Sequence, residues 1–163
     1  MKFPVRYLPS TLTKKDKQKQ IRMLMKSKKL YRTKNQYYTR KPLASYKNKT
    51  SKHIIKARKI YNIKNLIPSK ELARKTGCSL SALNKIVKKG QGAYFSSGSR
   101  PNQTSQSWGV ARLASSITAG KAAAVEYDII NAGCDHKKKA FILANKSRRQ
   151  YKYGQSKTRR ISV

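Results

Sequence analysis

The excess of positive charge constrains this chain more than any other feature of its sequence. Its 163 residues include 40 lysines and arginines against 5 aspartates and glutamates, which leaves a formal net charge of +35. The few acidic residues cannot neutralise this excess within the molecule. The positive charges therefore repel one another and favour an anionic partner. The sequence therefore predicts a protein that binds a polyanion, namely nucleic acid, an anionic membrane or an acidic protein surface.

The positive charge is unevenly distributed along the chain. Residues 1–70 hold 22 lysines and arginines with a single acid, and residues 137–163 hold ten with no acid. Residues 93–136 balance three basic residues against three acidic ones. Runs of like charge are typical of segments that follow a charged partner, whereas a neutral segment can pack as an ordinary domain.

This distribution predicts three parts. We expect a basic extended arm with one short helix over residues 1–50, a small helical domain over 51–145 and a basic tail over 146–163. Tyrosines such as Tyr38 and Tyr151 lie among the cations of both flanks. Tails that serve only solubility are poor in aromatic residues, so the tyrosines favour arms that contact a partner.

Local signals predict a mainly α-helical fold. Serine and threonine caps, apolar residues spaced three and four apart, and terminal Gly or Asn residues mark the helices. The predicted helices cover residues 14–29, 52–61, 70–76, 80–89, 105–118 and 122–132. For the last of these, alternation of apolar and acidic residues leaves a strand as the alternative. Residues 90–104 are predicted to form a long Gly/Ser-rich loop.

Two of these helices form a helix-turn-helix-like hairpin. Ser69 is the expected N-cap of the first helix, Gly77 its left-handed end and Ser79 the cap of the second. In DNA-binding proteins the second helix of such a hairpin docks in the major groove. Here it would present Ser81, Ala82, Asn84, Lys85 and Lys88, and Asn84 could read adenine. A plain helical hairpin of a small core is common, and we favour it over sequence-specific DNA reading, which stays open.

The apolar positions of the helices predict one small core. The spacing of Val110, Leu113 and Ile117 places them on one helix face, and the single tryptophan is most simply a core anchor. The predicted core residues are Leu72, Leu83, Ile86, Trp108, Val110, Leu113 and Ile117.

The candidate polyanion-binding residues are the lysines and arginines of the arm, the hairpin and the tail. No single one of them is expected to dominate, since exposed ion pairs are individually weak. They are Lys14, Lys15, Lys17, Lys19, Arg22, Lys28, Lys29, Arg32, Arg40, Lys41, Lys56, Arg58, Lys59, Lys85, Lys88, Lys89, Arg100, Lys137, Lys138, Lys139, Arg148, Arg149, Arg159 and Arg160.

Catalytic and metal chemistry find little support in the sequence. No Cys-x-x-Cys pair is present, and Cys78 and Cys134 are expected to be reduced, small apolar residues. The Gly/Ser-rich loop lacks the Lys-Ser/Thr end of a P-loop, although its amides and Arg100 could hold one phosphate. We therefore predict no catalytic residues, no metal, no cofactor and no small-molecule substrate.

Three segments resemble a group of uncharacterised proteins encoded by large nucleocytoplasmic DNA viruses. They are VRYLPSTLTKKDKQKQ (5–20), YYTRKPLASYKNKTSKHIIKARKIYNI (37–63) and the stretch from TGCSLSALNK to YDIINAGC (76–134), which contains SSGSRPNQT and ARLAS. The resemblance covers most of the chain and implies a viral, virion-associated protein, but it implies no catalytic residues.

Together these observations favour a non-enzymatic structural virion protein, made in the host cytoplasm. We expect a minor capsid or cement protein on the inner face of the shell, whose arms bridge capsid proteins and an internal anionic membrane or the genome. The alternative is a viral DNA-binding protein that condenses or regulates DNA through its basic arms and helix-turn-helix. The sequence does not distinguish capsid protein, DNA and lipid as the anionic partner.

Overall fold

A computed structural model describes all 163 residues and shows a mainly α-helical protein, which confirms that part of the predicted fold class, whereas the helix-turn-helix hairpin and the basic arms are not confirmed. None of its helices is both long and apolar enough to cross a membrane. The eight α-helices are α1 (Lys14–Lys34), α2 (Lys52–Tyr61), α3 (Lys70–Thr76), α4 (Leu80–Ser96), α5 (Ser105–Ser116), α6 (Lys121–Val125), α7 (Tyr127–Gly133) and α8 (Lys139–Gln150). Single 3-10 turns cover Val5–Tyr7 and Lys152–Gly154, and two short strands are β1 (Lys2–Pro4) and β2 (Arg160–Ser162).

The chain divides into two compact units. The first comprises residues 1–49, 91–108 and 157–163, and the second comprises residues 50–90 and 109–156. This division differs from the predicted arm, domain and tail, because both chain ends belong to a folded unit.

The first unit buries its own apolar residues. Phe3, Tyr7, Leu8 and Leu24 are at most 4% exposed and form one cluster, against which Trp108 packs. β1 pairs antiparallel with β2, so the two ends of the chain lie side by side. The expectation of an extended N-terminal arm is therefore not confirmed, since burial of these side chains offsets the entropy of ordering the segment.

The long helix of the first unit has local and tertiary causes. Thr13 caps α1, accepting a hydrogen bond from the amide of Asp16 at 3.2 Å, and the Asp16 carboxylate favours the positive end of the helix dipole. Asn35, in the left-handed conformation, ends the helix. α1 runs five residues beyond its predicted end, and Met23 packs with Leu12 and Leu43 in a second cluster.

The second unit contains the larger core. Leu72, Leu83, Ile86, Leu113 and Ile117 are each at most 1% exposed and pack together. Of the other two predicted core residues, Val110 is half-buried against this cluster. Trp108 lies instead in the first unit, where its ring meets Tyr7 edge-on at 6.0 Å.

Most helices of the second unit begin where the sequence predicts. Ser51 and Ser69 cap α2 and α3 with their side chains, and Asn62 and Gly77 end them in the left-handed conformation. The segment 122–132 is helical, as favoured over a strand, and forms parts of α6 and α7.

Helix α4 differs from the prediction, because it continues through Gly90 and Gly92 as far as Ser96. The predicted loop over 90–104 is therefore wrong in its first half. Gly90 is required by packing and not by a turn, since a Cβ added there would lie 2.7 Å from the Cα of Gly109.

A disulfide joins Cys78 and Cys134 in the second unit, so the expectation of two free thiols is wrong. The amide of Ser79 donates to Gly133 at 2.7 Å, and the amide of Asp135 donates to Gly77 at 2.7 Å. The bond and these two hydrogen bonds attach the turn between α3 and α4 to the end of α7.

Removal of this disulfide is expected to destabilise the second unit. Its cysteines are 56 residues apart, and a cross-link over a loop of that length is worth about 4 kcal/mol of unfolding free energy. Urea unfolding of the oxidised protein and of the Cys78→Ser/Cys134→Ser variant measures the difference. A reductant should destabilise the wild-type chain and leave the variant unchanged. Equal unfolding midpoints for the oxidised wild type and the variant would contradict the expectation.

Candidate polyanion-binding surface

The acidic residues are largely engaged within the protein. Glu126 is buried, and the guanidinium of Arg112 donates to one of its oxygens while the ammonium of Lys89 lies 2.8 Å from the other. That ammonium is in ion-pair contact but not aligned for a hydrogen bond. Lys89, one of the predicted polyanion ligands, is therefore already paired, although its side chain stays half exposed.

Three of the other four acidic side chains are also engaged. Glu71 pairs with Lys75 at 3.1 Å, and an oxygen of Asp135 accepts from the amide of Lys137. The hydroxyl and amide of Ser45 donate to Asp16, at 2.6 and 3.0 Å, and lower the pKa of that carboxyl. Because the carboxylates are few and mostly have partners within the protein, they leave the positive charge of the surface almost unopposed.

Five cations form a stripe along α1. Lys15, Lys19, Arg22, Lys26 and Lys29 alternate in spacing by four and three residues, which places them on one face of the helix. With a rise of about 1.5 Å per residue, the stripe is about 21 Å long. Lys19 is half-buried and the other four are exposed, and the buried residues of α1 lie at other positions. We call these five residues the α1 stripe.

Lys26 is the member of the α1 stripe that the sequence analysis did not select. Its ammonium lies 4.6 Å from the centre of the Tyr38 ring, a cation–π distance. The four-and-three spacing of the cations was visible in the sequence and would have identified it.

The remaining predicted ligands of α1 differ in their surroundings. Lys14, Lys17 and Arg32 are exposed. Lys28 is half-buried, with its ammonium 5.3 Å from the centre of the Phe3 ring. Burial, followed by the nearby charges of Arg32 and Arg160, lowers the pKa of Lys28. Lys28 therefore packs on the first unit, whereas the other three can reach a partner.

Arg40 is a correction to the predicted polyanion ligands, because it is only 6% exposed. Its guanidinium donates to the hydroxyls of Ser27 at 3.0 Å and Ser99 at 2.8 Å, and to the carbonyl of Tyr94 at 2.9 Å. It also lies 3.8 Å from the centre of the Tyr94 ring. Burial lowers the pKa of Arg40. We call these four residues the Arg40 cluster, and it joins three separate segments of the first unit.

Arg148 is also held by aromatic rings. Its guanidinium lies 4.2 Å from the ring centre of Tyr127 and 4.9 Å from that of Tyr153, and the side chain is half-buried. The remaining predicted ligands are exposed: Lys41, Lys56, Arg58, Lys59, Lys85, Lys88, Arg100, Lys137, Lys138, Lys139, Arg149, Arg159 and Arg160.

Helix α4 exposes most of the residues that the sequence assigns to a DNA-reading face. Ser81, Asn84, Lys85 and Lys88 are exposed on α4. Ala82 is not presented, because it is 4% exposed and a Cβ added at Gly133 would lie 2.5 Å from its own Cβ. The exposed four can contact a partner, while Ala82 contributes to packing.

The two cysteines considered for metal or catalytic chemistry are joined to each other in the disulfide. No three His, Cys, Asp or Glu side chains form a group that could hold a metal ion. His136 stacks on Phe141 at 3.8 Å between ring centres. The part of the glycine-rich segment up to Ser96 is helical, so its backbone there does not form the loop that was considered as a possible holder of one phosphate.

The sequence profile of a family described as "Family of unknown function (DUF5824)" matches residues 4–138. No curated protein and no solved structure matches the chain.

The burial of Arg40 predicts separate effects on stability and binding. Arg40→Lys keeps the charge but leaves hydrogen-bond acceptors of the Arg40 cluster without a donor, so it should lower the unfolding free energy by about 1–3 kcal/mol. Thermal or urea unfolding measures this loss, and DNA affinity measured on the folded variant should stay within about twofold, since exposed charges are retained. Lys41→Gln, next to it and exposed, is the control and should leave stability unchanged. An Arg40→Lys variant with the same unfolding free energy as wild type would contradict the structural role of Arg40.

Proposed function

We propose that this chain, which belongs to the DUF5824 family, is a non-enzymatic structural protein that binds the phosphate backbone of DNA. The observation that carries the proposal is the α1 stripe, a row of five cations about 21 Å long on one exposed helix face. The stripe belongs to a protein with a net charge of +35.

The spacing of the α1 stripe suits a polyphosphate. Double-stranded DNA carries one negative charge per about 1.7 Å of its axis, so a 21 Å stripe faces more phosphates than it has cations. Lysine binds phosphate as a point charge with little geometric demand. Such contacts position a protein on DNA without reading its sequence. The proposed binding is thus electrostatic and independent of sequence.

The folded state of residues 1–49 changes the proposed mechanism. The charge distribution suggested flexible arms that bridge capsid subunits, but this segment has buried side chains and a 21-residue helix. A surface with its cations already in place loses less conformational entropy on binding than a disordered arm does. We therefore favour docking of a folded basic surface on the genome over bridging by extended arms.

Location in a virion is part of the proposal. Support comes from the resemblance to proteins of large nucleocytoplasmic DNA viruses and from the Cys78–Cys134 disulfide. Disulfides persist in oxidising surroundings, which include virus particles outside the cell, and are rare in a reducing cytosol.

Sequence-specific DNA binding through α4 is the second candidate. It is favoured by the exposure of Asn84, Lys85 and Lys88 on the second helix of the α3–α4 hairpin. An asparagine can pair with both groups of an adenine edge in the major groove. The variant Asn84→Ala tests this candidate. If the variant no longer discriminates between DNA sequences but keeps its affinity for mixed-sequence DNA, sequence-specific binding becomes the first candidate.

The α1 stripe predicts a measurable salt dependence. Each phosphate that a protein neutralises contributes about −0.9 to the slope of log affinity against log salt concentration. The variant Lys15→Gln/Arg22→Gln/Lys29→Gln should therefore flatten the slope by about 3 relative to wild type. Fluorescence anisotropy with a mixed-sequence duplex, at several salt concentrations, gives both slopes.

The control removes three exposed lysines outside the stripe. Lys47→Gln/Lys49→Gln/Lys64→Gln has the same net charge as the stripe variant, and its slope should stay closer to that of wild type. The proposal fails if both variants flatten the slope equally, or if the wild-type slope is near zero.

A further inference from the structure

The second unit contains an open cavity of about 260 Å³ that the proposed DNA contacts do not use. Three parts of the chain line it: the first turns of α2, the turn between α5 and α6, and the end of α8. The lining residues are Lys52, His53, Lys56, Thr118, Ala119, Gly120, Lys146, Gln150 and Tyr151.

The charges that line the cavity are all positive. Lys52, Lys56 and Lys146 contribute three ammonium groups, and no carboxylate lines the cavity. The ion pairs of the protein engage Lys75, Lys89 and Arg112, not these lysines. Concave walls of low dielectric constant concentrate the potential of such charges, so the cavity attracts anions more strongly than a flat surface does.

The walls of the cavity are held together by buried hydrogen bonds. The hydroxyl of Tyr61, at the end of α2, donates to the carbonyl of Ile117 at 2.6 Å. The hydroxyl of Ser147, in α8, donates to the carbonyl of Gly120 at 2.6 Å. Burial raises the pKa of Tyr61, which keeps its hydroxyl protonated as a donor. The three parts that line the cavity are therefore fixed to one another without any ligand, with Lys52 and Lys56 on α2 and Lys146 on α8.

Gly120 allows the turn to pack closely on its surroundings at the edge of the cavity. Gly120 packs closely against Ser115 and His53. A Cβ added at Gly120 would lie 2.2 Å from the hydroxyl oxygen of Ser115 and 2.8 Å from Cε1 of His53. A glycine at this point brings the backbone of the turn against α2 while the space beside it stays open. The cavity is several times larger than the roughly 30 Å³ that one water molecule occupies in the liquid. It can therefore admit a phosphoryl group.

We propose that this cavity is a binding site for a phosphomonoester or pyrophosphate group, held by Lys52, Lys56 and Lys146. A terminal phosphoryl group carries up to two negative charges and three free oxygens, which matches three ammonium donors better than a single carboxylate does. The group can come from a free phosphorylated small molecule or from the 5′ end of a nucleic acid. The bridging phosphates of a continuous DNA backbone carry one charge each and lie along a surface, so this site is distinct from the α1 stripe.

Calorimetric titration of the full chain with pyrophosphate, at constant ionic strength, tests the proposal. Wild type should bind one equivalent, and acetate should not compete. Lys52→Gln/Lys146→Gln should weaken pyrophosphate binding by about tenfold or more, because two charged contacts are lost. The control Lys64→Gln/Lys70→Gln removes the same charge from exposed positions of the same unit and should stay within about twofold. Unfolding curves confirm that both variants are folded.

The source of the phosphoryl group is identified by a second comparison. Two oligonucleotides of one sequence, with a 5′-phosphate or a 5′-hydroxyl, are bound to wild type and to Lys52→Gln/Lys146→Gln. A wild-type preference for the 5′-phosphate that disappears in the variant supports a nucleic-acid end. Equal binding of both oligonucleotides, alongside saturable pyrophosphate binding, supports a free small molecule. Unsaturable pyrophosphate binding, or equal weakening in the control, overturns the site whatever the result for the α1 stripe.

Discussion

Electrostatic repulsion among the cations is the constraint on which this structure depends. The net charge of +35 is spread over 10152 Å² of accessible surface, about one charge per 290 Å² and a mean separation of about 17 Å. This separation exceeds the Debye length of about 8 Å at physiological salt, so most of the repulsion is screened there. The chain can fold at such salt because its interior excludes unpaired charge and most of its cations are dispersed, the α1 stripe being a closely spaced exception. At low salt the screening is lost, and the same charges are expected to weaken the fold.

The interior meets this constraint with few charged groups, and each has partners. Arg40 is the buried cation of the first unit, and hydroxyls, a carbonyl and an aromatic ring surround it in place of a carboxylate. Glu126 is the buried anion of the second unit, between Arg112 and Lys89. Each of these groups connects segments that are distant in sequence. The exposed cations are thereby free for partners, as in the α1 stripe and in the lysine-lined cavity.

The sequence predicted what depends on neighbouring residues and missed what depends on distant ones. The bounds of α2 and α3 followed from their caps, Ser51 and Ser69, because a cap acts within one helical turn. The burial of Arg40 could not be foreseen, since its partners lie 13 to 59 residues away. Gly90 was interpreted as a helix end, although its role is close packing on Gly109. The cavity lysines are similarly undistinguished in sequence, because only the fold brings Lys146 near α2.

The central claim is that the basic N-terminal segment is a folded surface before any polyanion binds. Hydrogen–deuterium exchange of the free chain, followed by mass spectrometry, tests this most directly. The account predicts slow exchange for the amides near the middle of α1, around the buried Met23, Leu24 and Ser27, with DNA absent at physiological salt. Added DNA should then slow exchange little in that region. Exchange at the rate of an unstructured chain over residues 1–49, becoming slow only when DNA is added, would contradict the account and restore the flexible arm.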